Sequence, residues 1–158
     1  MEMFDIKSVR DFLEKRYLYF LYKRIHFAQW HLDRASERPY AVYLIKKINN
    51  MRLTGKIVEI GCGLGDILSG LKTRNKVGYD VDKTVIRAAK WIHPFIKTYV
   101  GSFGDICGEE ISLLITVNFL FSVDEDIFQK YFKAITTQNN ISRIVVDDVP
   151  CPPYTYYH

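Results

Sequence analysis

The stretch that decides the fold is Lys56-Ile57-Val58-Glu59-Ile60-Gly61-Cys62-Gly63-Leu64-Gly65-Asp66-Ile67-Leu68. An apolar run ends in glycines at alternate positions, and an acidic residue and further aliphatics follow. That order reads as strand, tight turn and helix start. Glycine tolerates positive φ and lets other groups approach the backbone closely. A helix start placed beyond it presents free N–H groups. Together these make a ligand site at the carboxyl edge of a parallel sheet.

The spacing separates one ligand class from another. The dinucleotide fingerprint G-x-G-x-x-G opens its helix on the third glycine, against a pyrophosphate. Here Asp66 stands at that position and the third glycine comes one residue early, at Gly65. A carboxylate at a helix N-terminus stabilises the helix but repels a pyrophosphate. With Glu59 inside the strand, it points to a ligand with a cationic or zwitterionic part.

Outward from this stretch, Lys76 to Asp80 reads as a second strand, and Asp80 follows Gly61 by 19 residues. An acidic residue at about that distance reaches a ribose, and a carboxylate can accept from both ribose hydroxyls. Asp82 caps the next helix, which Pro94 stops. Phe95 to Val100 is a short third strand, with Gly101-Ser102-Phe103-Gly104-Asp105 behind it. Ile111 to Val117 is a fourth, apolar enough to be covered on both faces. Asn118 and Phe119 follow it. Ser122 and Glu125 have capping-box spacing, and Phe128, Tyr131, Phe132 and Ile135 give the helix behind them a buried stripe. Arg143 to Val149 is a fifth strand with Asp147 and Asp148 at its carboxyl end, where a divalent cation could use their oxygens.

The residues Glu59, Gly61, Gly63 and Gly65 match E/D-x-G-x-G-x-G, and this chain resembles the class I S-adenosylmethionine-dependent methyltransferases over about residues 36–149. The segment Gly78-Tyr79-Asp80-Val81-Asp82 resembles the family's second motif, and Asn118-Phe119 its fourth. The resemblance implies a Rossmann-like α/β fold, mostly parallel, with strand order 3-2-1-4-5. It implies S-adenosylmethionine as cofactor and S-adenosylhomocysteine as product. Its cofactor contacts map to Glu59, Gly61, Cys62, Gly63, Gly65, Asp80, Val81, Ser102, Phe103, Asn118 and Phe119. Ser102 and Phe103 answer the adenine, although Gly104-Asp105 offers a second alignment. The helix before the glycine turn usually lies over the cofactor, so Trp30, His31, Arg38 and Tyr40, with Asp148, are the pocket-lining candidates. No catalytic base and no metal site is assigned. The metal-dependent O-methyltransferases use an aspartate after the fourth strand, where this chain has Asn118.

The family also adds a sixth strand and an antiparallel seventh, and the given chain has no run for them. The fifth strand is then an edge, and bare edges invite pairing; the expectation is that the tail, the N-terminal helices or a second subunit covers it. Methyl transfer to an oxygen of a small molecule or sugar is the activity the resemblance suggests. The alternatives are a non-catalytic partner subunit of the same fold and a nicotinamide- or nucleotide-binding enzyme.

Bulk properties agree with one domain of 158 residues, divided into a helical cap (1–53), an α/β core (54–149) and a proline-tyrosine tail (150–158). The 48% hydrophobic and 15% aromatic content supports a core rather than disorder. Three cysteines, with no C-x-x-C, argue against disulfide or zinc frameworks and for a reducing, cytoplasmic setting. The N-terminus has no leader-like apolar region, and no run of 18 apolar residues occurs.

The charge is uneven: residues 1–56 hold 12 basic against 6 acidic side chains, and residues 57–158 hold 10 against 12. The helix expected from Asp5 to about Trp30 is apolar all round near Tyr17–Tyr22, with Lys23 and Arg24 behind. Such a helix packs on its domain or on a second subunit, or lies in a membrane interface. No nucleic-acid module is recognisable. In the following helix, Ser36 is the expected cap, Pro39 sits in the first turn, and Ala41, Leu44, Ile45 and Ile48 form the buried stripe.

Overall fold

The computed structural model describes residues 6–120 and 124–147, with side chains from residue 9. Asp148, Ser122, Phe121 and the proline-tyrosine tail lie outside the described residues. The element order is α1 (Ile6–Ile25), two short 3-10 turns (Gln29–Leu32 and Ala35–Glu37), α2 (Pro39–Asn50), β1 (Lys56–Ile60), α3 (Asp66–Gly70), β2 (Lys76–Asp80), α4 (Lys83–Ile92), β3 (Lys97–Val100), a 3-10 turn (Phe103–Asp105), β4 (Glu110–Thr116), α5 (Glu125–Gln138), β5 (Asn140–Ile141) and β6 (Ile144–Val146).

The sheet runs β3-β2-β1-β4, with β5 and β6 both on the far side of β4, and all its pairings are parallel. The two last pieces share one register. Glu110 faces Asn140 and Leu114 faces Ile144, while Ser142 N donates to Ile111 O and Leu114 N to Arg143 O, both at 2.9 Å. They therefore act as one strand, the fifth in the expected 3-2-1-4-5 order. It begins at Asn140 rather than at Arg143.

Alternation along β1 builds two cores. Val58 and Ile60 face Phe103, Ile106 and Ile135, on the α5 side. Ile57 faces the side of α2, α3 and α4, with Ala41, Ile48, Leu68 and Ile86. In β4 the register shifts so that Lys56 faces Ile111 and Ile57 faces Leu113, leaving Ser112 as a bulge. Its hydroxyl fills the space a side chain at Gly55 would need. A third cluster holds α1 in place: Leu18 and Leu21, with Phe27, lie on Val85 and Ala88 of α4 and on Leu64 of the glycine turn.

Two local expectations change. α1 stops at Ile25, because His26 takes a left-handed φ of 61° that ends the helical ladder. Ser36 does not cap α2; it lies in the preceding 3-10 turn, and Arg38 is the N-cap with Pro39 behind it. At α5, Asp124 is the N-cap and accepts from Asp126 N; the Ser122 of the expected capping box lies outside the described residues.

Asp82 caps α4 as its sequence position indicates, accepting from Thr84 N at 2.7 Å and Val85 N at 3.4 Å. Asp82→Ala should lower the unfolding free energy by about 1 kcal/mol, the ordinary worth of a cap. A urea midpoint unchanged from the parent would contradict that reading.

Candidate functional site

The glycine turn joins β1 to α3. Gly61, Gly63 and Gly65 have φ values of 74°, 54° and 81°, all left-handed. The turn spends its amides on the protein itself. Gly61 N and Cys62 N donate to Tyr79 O at 2.8 and 3.0 Å, and Gly65 N donates to Cys62 O at 2.8 Å. Gly63 N donates to Asp80 Oδ2 at 2.9 Å, and Asp80 Oδ1 accepts from Asp82 N at the same distance. Asp80 thus ties the first turn to the second and is 9% exposed. With four turn amides committed, pyrophosphate recognition by backbone N–H groups loses its donors, which speaks against a dinucleotide ligand.

Asp66 is placed differently from expectation. It opens α3 but is only 4% exposed, because two guanidinium groups and an imidazole close on it. Arg34 Nη2 lies 3.2 Å from Oδ1, Arg38 Nη2 3.2 Å from Oδ2, and His93 Nε2 3.3 Å from Oδ1. Burial alone would push its carboxyl up. The His93 hydrogen bond and the charges of Arg34, His93 and Arg38 outweigh that and hold it below the ordinary range. The negative charge of Asp66 is therefore answered within the protein.

Glu59 is not answered. It is 2% exposed, and its Oε2 is buried with no hydrogen-bond partner. Burial drives its pKa well up, and the charges of Asp66 and Asp80 add to this; Arg38 and the Leu68 amide oppose it. Arg38 carries the matching deficit. It donates to Asp66 and to Tyr40 Oη (3.3 Å), yet its Nε is buried and unpaired. A buried carboxyl and a partly exposed guanidinium thus each keep one buried polar atom without a partner. Such groups are costly unless something pairs with them.

The remaining candidates are placed by their own contacts. The His31 ring approaches Gly63 so closely that a side chain there would come within 3.1 Å of it. Burial lowers its pKa, with Asp80 and Asp82 pulling the other way, so the imidazole is neutral at neutral pH. Trp30 leans on His31 with ring centroids 5.6 Å apart and is itself 71% exposed. Tyr40 lies under the Arg38 guanidinium. Phe119 rests on Gly61, where a Cβ would come within 2.6 Å of its ring, and Asn118 takes a φ of 54° beside it. Val81 is exposed just beyond Asp80.

Two side chains point away from the turn's open side. Cys62 Sγ packs on Gly78 and lies 3.6 Å from Gly63 O, and burial pushes its thiol pKa up. Only its backbone can meet a ligand. Phe103 is 1% exposed, wedged among Phe119, Phe128 and Tyr131, so its ring supports the pocket floor instead of lying open beside an adenine. Ser102 stays half-buried at the end of β3, its N–H donating to Asp105 Oδ2 at 2.8 Å. Asp147 Oδ2 accepts from Asn118 N at 2.6 Å, which makes Asp147 a clasp between the ends of β4 and β6. Among the described residues no group of three His, Cys, Asp or Glu side chains is placed to hold a metal ion.

Sequence reasoning missed Arg34, His93 and the clasp by Asp147. The Asp66 contacts with Arg38 and His93 cross 28 and 27 residues, and no local spacing signals them.

No family model matches the sequence, and no curated protein matches it. Solved structures do. A TehB-like SAM-dependent methyltransferase from Corynebacterium glutamicum superposes with a TM-score of 0.55 at 23% identity, over 65% of this chain and 59% of its own. The sugar N-methyltransferase KedS8 from Streptoalloteichus gives 0.59 at 14% identity, over 75% and 51%. SAM-bound CalS10, an amino pentose methyltransferase from Micromonospora echinaspora, gives 0.52 at 17%, over 77% and 51%. This chain thus spans about half to three fifths of the length of these proteins. Its sheet order, its glycine turn and these superpositions agree: the chain has the fold of the class I S-adenosylmethionine-dependent methyltransferases.

Proposed function

We propose that this protein binds S-adenosylmethionine and methylates a small acceptor of the sugar class. The observation that carries this is a pair of buried atoms without hydrogen-bond partners, Glu59 Oε2 and Arg38 Nε, on side chains whose charges act on each other. An amino-acid zwitterion answers both: its ammonium meets Glu59, directly or through a water, and its carboxylate meets Arg38. A neutral or purely anionic ligand answers only one.

The other roles follow from position. Asp80 has used one lone pair on each oxygen for backbone amides, leaving acceptor capacity for ribose hydroxyls. Ser102 with the backbone around it borders the adenine, and Gly61, Gly63 and Gly65 admit the ligand's close approach. Asn118 and Phe119 border the reacting end, while Trp30, His31 and Tyr40 form the acceptor side. When bound, the cofactor supplies a sulfonium methyl group for in-line displacement by an acceptor oxygen or nitrogen. Nitrogen joins the oxygen suggested by the sequence because KedS8 is a sugar N-methyltransferase. The protein's share is alignment and water exclusion. Neutral His31 is the candidate proton acceptor.

Calorimetric titration with S-adenosylmethionine and S-adenosylhomocysteine tests the reading, with Glu59→Gln beside the parent. Glu59 is more easily protonated in the folded than in the unfolded chain. Its stabilising share is therefore present at acid pH and lost as pH rises through its raised folded pKa. Removing that charge should raise the thermal midpoint at neutral pH by a few degrees, in line with about 1–3 kcal/mol for an unanswered buried group. The same substitution should weaken cofactor binding about tenfold or more, since one charge-assisted contact is lost. Folded parent protein that binds neither compound, or binds NAD in preference, defeats the proposal.

A further inference from the structure

α1 carries apolar residues on two opposite faces. Leu18 and Leu21 turn inward onto α4. On the opposite side, at spacings of three and four, Val9, Phe12, Leu13, Tyr17 and Phe20 are between 42% and 59% exposed. Arg16, Lys23 and Arg24 project within the same sector. The Arg16 guanidinium lies over the Phe12 ring at 5.6 Å, and the Lys23 ammonium over Tyr19 at 5.3 Å. The acids of this helix, Asp11 and Glu14, fall on the inward sector with Leu18. Among the described residues, Arg10 pairs with Glu14 and Lys15 with Glu37, whereas Arg16, Lys23 and Arg24 have no carboxylate partner.

From this arrangement we infer that the outward face of α1 docks on an anionic lipid surface, with the helix lying in the plane of the headgroups. A contiguous exposed apolar stripe marks an interaction site, and its charge pattern selects the occupant. Lipid phosphates answer three basic side chains, and the outer acyl region takes the aromatic and aliphatic ones. A second copy answers neither need, because two-fold pairing of this face brings two sets of Arg16, Lys23 and Arg24 into one interface, and among the described residues the face carries no acid. Single-stranded nucleic acid would use the rings and the charges. It would leave Val9 and Leu13 without a function, and a convex helix offers no groove to follow a strand. No helix among the described residues is long and apolar enough to cross a membrane, so the contact is one of lying on the surface.

Co-sedimentation of the full chain with phosphatidylcholine vesicles, with and without phosphatidylglycerol, is the test. Binding should appear only with the anionic lipid and fall with salt. The triple change Arg16→Glu, Lys23→Glu and Arg24→Glu should weaken partitioning about a hundredfold or more. Leu13→Ser with Phe20→Ser should weaken it at least about tenfold. Because these side chains are exposed, the thermal midpoints should stay near the parent's, which separates lost docking from lost folding. Equal binding to neutral and anionic vesicles, no binding to either, or a preference for poly-uridine over vesicles would overturn the inference. So would a concentration-dependent dimer abolished by Phe20→Ser.

Discussion

Gly61→Val is expected to remove about 3–5 kcal/mol of stability, a large part of what a domain of this size possesses. Two independent costs combine. Gly61 has a φ of 74°, where a β-branched residue is strained by about 1–3 kcal/mol. Its new Cβ would also lie 2.6 Å from Cβ and Cγ of Phe119 and 2.7 Å from Cδ2. The Phe119 ring cannot simply swing away, because it packs against Phe103, which is buried among Phe128 and Tyr131. Overpacking of this kind adds about 1–3 kcal/mol.

Gly63→Ala is the built-in comparison. Its φ is similar, but the nearest atoms belong to the His31 ring at 3.1 Å, which a small rotation relieves. It should cost less than half as much. Urea unfolding of both, and of Gly61→Val combined with Phe119→Ala, separates strain from overlap. Part of the loss should be recovered in the double variant. No recovery would mean that Phe119 does not rest on this glycine.

Asp66→Ala should cost about 2–3 kcal/mol. Removing one partner of a buried pair typically costs about 3–5 kcal/mol. The lower figure applies because the Arg34 and Arg38 side chains keep 19% and 26% of their exposure and can reach water when released. The pH dependence gives the distinguishing mark. The carboxyl of Asp66 is held below its unfolded value, so its stabilising share is present above the ordinary carboxylate range and lost as pH falls through the depressed folded pKa. In the parent, stability should decline on that acid limb. In Asp66→Ala the decline should flatten. An equally steep limb in both would place the acid sensitivity elsewhere.

What could be read in the sequence was local. The apolar run of β1, the alternate glycines and the Asp82 cap are each encoded within a few residues, and each stands where its pattern puts it. Asp80 could be anticipated because a βαβ unit has a near-constant length. The charge of Asp66 was read as facing a ligand because nothing within several residues neutralises it; Arg34, Arg38 and His93 arrive by tertiary folding. The end of α1 was hidden for the opposite reason. Apolar residues continue past Ile25 to Trp30, and only the left-handed turn at His26 shows the break. Ser36 has the chemistry of a cap, but Glu37 accepts from Arg34 N at 3.1 Å and pairs with Lys15, fixing a separate turn one step earlier.

The committed amides of the glycine turn also bear on kinetics. A loop whose N–H groups are already bonded to Tyr79, Cys62 and Asp80 meets its ligand in an ordered state. Association then carries little loop-ordering entropy. Two rings border the glycines of that turn, His31 at Gly63 and Phe119 at Gly61. The turn's amides should therefore exchange slowly with deuterated solvent before any ligand is added, and what bounds the site at these glycines is side chain rather than unformed backbone.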